Sequence, residues 1–424
     1  MVIIMEKQKD VKYRFPIKIS ENGRYFVDSN NNPFLWHGDT CWKLLWEFTL
    51  DEAREYLTDR AKRGFTVIQL HMLPHRVYQA NRNGDMPFSE AGTITKINEA
   101  YFNHADTVIK MAGKLGLAVI IAPMWLSGWE QDWHKFFDVE SAEIYSEFVA
   151  ERYKSYDNII GWIQGGDDDV FELRDSVRAA VAVYKKIDPL KLNTFHAWAK
   201  GGWSIFPGEN WWDFNMAYTY SYPFLLSQLK EAREFEPHKP VVLGETHYDG
   251  NDDVTSETIR RYAYTAMLLG SAGHTYGNKD IWTYTMFWRE GMCTAATHHM
   301  RNLKNFMDSL PWWKMKPAEF DDIFRKRKDE WRVCRIDTVS EVIPALFTRE
   351  EGVAIVAAYF FDNREFFLNS FWQAKETEKF EYLWFDPVSG QYFDAFANVN
   401  GGYRIPGCNS GGNRDWIFLV RSEL

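Results

Sequence analysis

Two carboxylates stand directly after short apolar runs: Asp167 in Gln164-Gly165-Gly166-Asp167, and Glu245 in Gly244-Glu245. Such a run reads as a strand, and a carboxylate at its end is carried into the loop that follows. If the two runs are the fourth and seventh strands of one parallel barrel, the side chains face each other across the mouth. That is where barrel enzymes assemble their reacting groups. Paired carboxylates suit glycosidic cleavage, one protonating the leaving oxygen and the other meeting the oxocarbenium-like carbon. The competing reading is helix capping, because Asp167, Asp168 and Asp169 precede an apolar-periodic stretch and carboxylates accept free amides at a helix start. Three in a row allow both: Asp169, beside Val170, serves as the cap while Asp167 turns into the mouth.

Around the same mouth the sequence puts Asp39 and Trp42 after strand one, and His71 and His75 after strand two. Trp125 and Trp129 follow strand three, Trp198 follows strand five, Tyr218 and Tyr220 follow strand six, and Tyr276 follows strand eight. Stacking rings and hydroxyl-binding groups are what a sugar pocket requires; the alternative for each ring is a place in the core. The histidines raise a metal-dependent barrel hydrolase, since His37, His71, His196, His247 and His274 all lie near strand ends. Yet strand one offers His37-Gly38-Asp39 with no His-x-His pair, and strand four brings no bridging lysine. Chelating sites declare such spacing, so neither metal nor cofactor is expected.

The elements that must hold these groups alternate. Strand runs are expected at 33–37, 65–70, 117–123, 159–164, 192–196, 214–218, 240–244 and 272–276, the third almost wholly apolar as befits a sheet buried on both faces. Between them Thr49-Leu50-Asp51-Glu52 is a capping box ahead of a helical face of Ala53, Tyr56, Leu57 and Ala61. Further helices are expected at 101–115, 141–153, 170–187, 224–234 and 256–269. Eight strands separated mostly by helices predict a (β/α)8 TIM barrel, and no GxGxxG follows the first strand to favour an open dinucleotide-binding sheet. After Pro311-Trp312-Trp313 only strand-like runs remain, at 342–348, 353–360, 366–371, 380–385, 392–396 and 415–420, with turn residues between several of them. These predict a small antiparallel β-sandwich. The domain division is therefore 1–320 for the barrel and 321–424 for the β-domain.

The chain of 424 residues has an ordinary globular composition, a formal net charge of −10, and 17% aromatic residues. No basic block argues for nucleic acid; Arg325-Lys326-Arg327-Lys328 is hemmed by acidic residues and reads as a solvated helix end. Cys41, Cys293, Cys334 and Cys408 are scattered and read as free thiols. No apolar window has membrane-spanning length. The first residues turn charged without an apolar leader segment, so the chain as written reads as cytoplasmic, or as secreted or periplasmic if a leader has been removed. Oligomeric state is not legible.

Trp36-His37-Gly38-Asp39-Thr40-Cys41-Trp42, Gly165-Gly166-Asp167, Gly244-Glu245 and Gly273-His274-Thr275-Tyr276-Gly277 resemble the "domain of unknown function 4038" proteins, which are similar to glycoside hydrolase family 140 and its apiosidases. Trp384-Phe385-Asp386-Pro387-Val388-Ser389-Gly390 resembles a β-domain, named for collagen binding, that often follows that barrel. The resemblance implies Asp167 as general acid/base and Glu245 as nucleophile of a retaining glycosidase. It also implies Asp39, Trp42 and Tyr276 on motifs lining the sugar subsite. Thr246-His247-Tyr248-Asp249 departs from the family's stretch after the nucleophile. The site expected is thus Asp167 and Glu245, lined by Asp39, Trp42, His71, Trp125, Trp198, Tyr218 and Tyr276, with a carbohydrate as partner. A binding protein on a decayed barrel would keep the rings and lose a carboxylate; both carboxylates are present.

Overall fold

The computed structural model describes residues 13–128, 132–325, 342–350, 353–374 and 379–422. Trp129, Cys334 and the charge run beyond Arg325 lie outside the described residues. Two compact units divide the chain, one made of 12–254 with 272–294, the other joining 255–271 to 295–424.

The first unit holds eight parallel strands: β1 Trp36–Thr40, β2 Val67–His71, β3 Ala118–Ala122, β4 Ile159–Gly165, β5 Leu192–His196, β6 Asn215–Tyr218, β7 Val241–Glu245 and β8 Gly273–Gly277. Their ladder runs β5-β4-β3-β2-β1-β8-β7-β6, which is the expected (β/α)8 barrel. The two end strands are joined by Asp213 N–H to Asn193 O (2.7 Å), Asn193 N–H to Asp213 Oδ2 (2.7 Å), Thr194 Oγ1 to Phe214 O (2.8 Å) and, at the mouth, Ala199 N–H to Tyr218 O (2.8 Å). Alternation along the strands sorts the side chains. Trp36, Val67, Ala118, Ile120, Ile163, Met216 and Val242 fill the barrel interior. Ile68, Leu70, Val119, Ile121 and Trp162 instead join the cluster formed with helix residues such as Tyr56, Leu57, Val177 and Tyr184. A three-stranded antiparallel sheet, Lys18–Ile19, Phe26–Val27 and Pro33–Phe34, closes the end where strands begin, with Phe26 against Trp36 (5.7 Å between ring centres) and Phe214 (5.4 Å).

The capping box forms as expected: Thr49 Oγ1 accepts from Glu52 N–H and Glu52 returns to Thr49 N–H (3.0 Å), starting the helix Leu50–Lys62. Two expected elements differ. The run at 33–37 splits, because Pro33–Phe34 pairs with Phe26–Val27 and the barrel strand begins at Trp36. The helix expected at 170–187 begins at Arg174 after a single tight turn, Phe171–Leu173. Asp169 does not cap it; its carboxylate takes the Arg174 guanidinium at 2.9 Å.

In the second unit the helices Ser256–Leu268 and Ala295–Asp308 pack on a six-stranded antiparallel sheet ordered Lys316–Pro317, Ala345–Glu350, Val353–Phe360, Trp416–Ser422, Phe380–Phe385, Tyr392–Asp394. Tyr264 meets Tyr359 at 5.5 Å and Phe306 meets Phe385 at 4.7 Å. The opposite face packs on a two-stranded piece, Phe324–Arg325 with Phe367–Leu368, through Phe324, Phe360, Phe366 and Trp384. Only two residues of the expected strand at 366–371 pair there; Ser370–Trp372 is a turn of 3-10 helix. Arg260, fully buried, pairs with Asp415 at 2.8 Å.

Candidate active site

Asp167 lies just past β4 on a turn held from both sides. Leu126 N–H donates to Gly165 O (2.9 Å), Asp167 N–H to Ser127 O (3.2 Å) and Trp198 N–H to Asp167 O (2.7 Å). The glycine pair makes this approach possible: Gly165 sits at φ +97°, and a Cβ on Gly166 would fall 2.3 Å from Ser127 Oγ. Glu245 ends β7, where the register against β6 shifts between Leu243 and Glu245. Val242 points into the barrel interior, so strict alternation would turn Glu245 outward. The bulge at Gly244 reverses it and aims the carboxylate into the mouth.

There the Tyr220 hydroxyl donates to Glu245 Oε1 at 2.9 Å, and Tyr218 supports Tyr220 at 3.1 Å between hydroxyls. His196 Nε2 lies 3.2 Å from Glu245 Oε2, and His196 Nδ1 lies 3.0 Å from Gly166 O. A carboxylate oxygen of Asp167, a ring nitrogen of His196 and a carboxylate oxygen of Glu245 all fall within 4.8 Å of one another. Burial, then the neighbouring Glu245 charge, raises the Asp167 pKa to about 6, against a smaller opposing pull from His196 and the Trp125 indole. Two like charges this close cannot both persist cheaply, so Asp167 is the member that keeps its proton. For His196 burial works downward, but the Glu245 carboxylate outweighs it and the pKa is raised.

The structure brings Trp42, His71, Trp125 and Tyr218 to this pair. Trp42 stacks on His71 (4.3 Å), His71 on Trp125 (4.5 Å), Trp125 lies 4.9 Å from His196, and His196 lies against Tyr218 (4.6 Å). The Trp42 indole N–H donates to the Tyr248 hydroxyl at 3.0 Å. Burial, then His75 and His196, holds His71 well below the usual histidine pKa, so it is a neutral ring in this wall. Trp198 is beside Asp167 in the chain fold and 51% exposed, free to offer a face to a ligand. Asp39 and Tyr276 are not brought there. They are register partners on adjacent strands and point to the helix side. Asp39, fully buried, receives Arg60 (3.0 Å) and the Tyr56 hydroxyl (2.9 Å), and Tyr276 donates to Asp249 (2.7 Å). His196 was weighed in the sequence only as a metal ligand, and Tyr220 only as one of the rings around the mouth, not as a partner of Glu245. The available signal was their position at the ends of β5 and β6. One imidazole with two carboxylates is also a donor set able to take a divalent ion.

A carboxylate pair at the ends of the fourth and seventh strands of a parallel barrel, walled by indoles, has the form of a sugar-cleaving site, and comparison with known proteins agrees. A solved structure described as a "Glycoside hydrolase" is 26% identical with TM-score 0.78, covering 95% of this chain and 96% of that one. A glycoside hydrolase family 5 protein from Bacteroides vulgatus ATCC 8482 shares the fold at 23% identity and TM-score 0.78, with 95% and 93% covered. Curated protein sequences give no match. The protein is a glycosidase acting on carbohydrate. More narrowly, the chain belongs to the apiosidase-like catalytic-domain family, whose model matches residues 20–314. No helix among the described residues is long and apolar enough to cross a membrane.

Proposed function

We propose that this glycosidase works by double displacement with retention of configuration, Asp167 as general acid/base and Glu245 as nucleophile. The observation that carries this is the carboxylate spacing. Nearest oxygens of the two groups come within 4.8 Å, a close approach that favours the roughly 5–5.5 Å group separation of retaining sites over the roughly 6.5–9.5 Å at which inverting sites hold a water. Asp167, with its pKa raised to about 6, keeps a proton to give the leaving oxygen. Glu245, held by Tyr220 at 2.9 Å, is oriented to attack the anomeric carbon. The second step reverses the roles: Asp167 takes a proton from water, which displaces Glu245 and frees the sugar. Trp42, Trp125, Trp198, His71 and Tyr218 are the residues proposed to line the sugar. The family's name directs the substrate search to apiose-bearing pectin fragments within a panel of plant and bacterial glycans.

The test is product analysis with methanol in the buffer, comparing wild type with Glu245→Gln. Retention gives a methyl glycoside of the original anomeric configuration from wild type alone. Transfer to methanol with the opposite configuration would show inversion, and equal release by both proteins would remove Glu245 from its role.

A further inference from the structure

The His196 ring is fixed in a way that the double-displacement scheme leaves unused. The Gly166 carbonyl can only accept, so the Nδ1 atom 3.0 Å from it carries a proton. Tyr218 packs on the ring at 4.6 Å and 35°, with Trp125 at 4.9 Å and Trp42 at 6.3 Å. The ring is packed on these sides, and Nε2 lies 3.2 Å from Glu245 Oε2, with neither atom in a well-aligned hydrogen bond. A neutral ring would hold the Nε2 lone pair 3.2 Å from an anion, inside a site where the His196 side chain has no exposure and Glu245 has 7%. A second proton on Nε2 removes that repulsion.

We propose that His196 is a positioning residue: an imidazolium that serves the two carboxylates in turn, Glu245 in the resting enzyme and Asp167 in the glycosyl-enzyme intermediate. This rests on the mechanism proposed above. Below about pH 6, where Asp167 holds its proton, Glu245 is an anion and His196 is a cation, so the trio of the resting site is neutral. In the first step the Asp167 proton goes to the leaving oxygen and a Glu245 oxygen forms the bond to the anomeric carbon as the glycosidic bond breaks. Glu245 becomes a neutral ester and Asp167 an anion. His196, within 4.8 Å of both, now balances Asp167. Water attack restores the first arrangement, with the water proton returning to Asp167. Negative charge moves between two carboxylates while the positive charge stays still, and the buried site never carries a net charge. The groups facing the ring are Glu245 from β7, Asp167 after β4, Tyr218 from β6, and His71 from β2, which burial keeps neutral.

The test has two arms. With histidine 15N-labelled in the whole chain, the resonance missing from His196→Asn, among eleven histidines, is expected to show an imidazolium at neutral pH in wild type and a neutral ring in Glu245→Gln. The resonance that changes charge in Glu245→Gln identifies His196 independently, should His196→Asn not fold. On apiose-bearing pectin fragments, His196→Asn is expected to lose kcat by about 100-fold with KM nearly unchanged. The acid limb of its kcat/KM profile should move to higher pH, because Glu245 loses the cation that favours its charge. A neutral His196 in wild type, or an unmoved acid limb, overturns the proposal. Failure of retention in the methanol experiment would instead remove the double-displacement scheme while leaving the imidazolium signal in place.

Discussion

Gly128 stands against Asp167, the proposed general acid, and adding one methyl group there tests the site more sharply than removing the acid itself. Its φ is +121°, and a Cβ would lie 2.2 Å from Asp167 Oδ2 and 3.3 Å from the Trp125 indole nitrogen. Ordinary contact begins at 3.4 Å, so in Gly128→Ala the oxygen must retreat by about 1 Å, a displacement that costs roughly 100-fold in a positioned reaction. The left-handed backbone adds strain of about 1–3 kcal/mol, visible as a lower Tm. Proton transfer is what Asp167 is proposed to supply to the first step, so the loss should depend on the leaving group. On a glycan with an alcohol leaving group kcat/KM should fall about 100-fold. On a dinitrophenyl glycoside of the same sugar, which departs without a proton, kcat/KM should be nearly retained. Paired kcat/KM measurements on the two substrates decide it. Equal loss on both, or full activity on the glycan, would refute the assignment of Gly128 as the clearance for a general acid.

Because burial and Glu245 raise the folded-state pKa of Asp167 from 3.8 to about 6, its contribution to stability is present below about pH 4 and is lost as pH rises through 6. Asp167→Asn should therefore be more stable than wild type above pH 6, by about 3 kcal/mol, with the gap closing in acid; thermal unfolding across pH measures this. Arg60→Met strands the fully buried Asp39 and should cost about 3–5 kcal/mol in denaturant unfolding. Its kcat per folded molecule should hold, whereas a fall in kcat would return Asp39 to the substrate subsite. Trp198→Ala, removing a ring that is half exposed beside the acid, should raise KM up to about 10-fold with kcat little changed.

Local rules with a single physical cause were readable in the sequence. The Thr49/Glu52 box needs only two side chains and two amides, and it forms. The strands Val353–Phe360 and Phe380–Phe385 coincide with apolar runs bounded by turn residues. What failed was parity. Asp39 and Tyr276 follow strand motifs as the mouth residues do, but side-chain direction has period two, and a one-residue error in the strand start reverses it. The run at 33–37 gave no hint that Pro33–Phe34 would be taken by a different sheet. Glu245 shows the converse: its direction depends on the bulge at Gly244, which no periodicity announces. Asp169 was free to cap, yet Arg174 five residues on offered a full charge instead of a partial one. His196 was missed as a partner of Glu245 because its role arises only from the meeting of β5 with β7, distant in the chain.

The join between β5 and β6 has a mechanical meaning. Elsewhere around the ring neighbouring strands are zipped along a backbone ladder, but here the closure is stitched, with Thr194 Oγ1 and the Asp213 carboxylate making two of its bonds and the Asp213 and Ala199 amides two more. Stitches can lengthen one at a time, whereas a zip must part along its length. β5 carries His196 and leads to Trp198, while β6 carries Tyr218 and leads to Tyr220. The stitched seam of the barrel thus runs between the walls of the candidate pocket. At the mouth the seam is drawn together by the Ala199 N–H to Tyr218 O bond (2.8 Å), so the same backbone contact closes the barrel and sets the distance between the two walls.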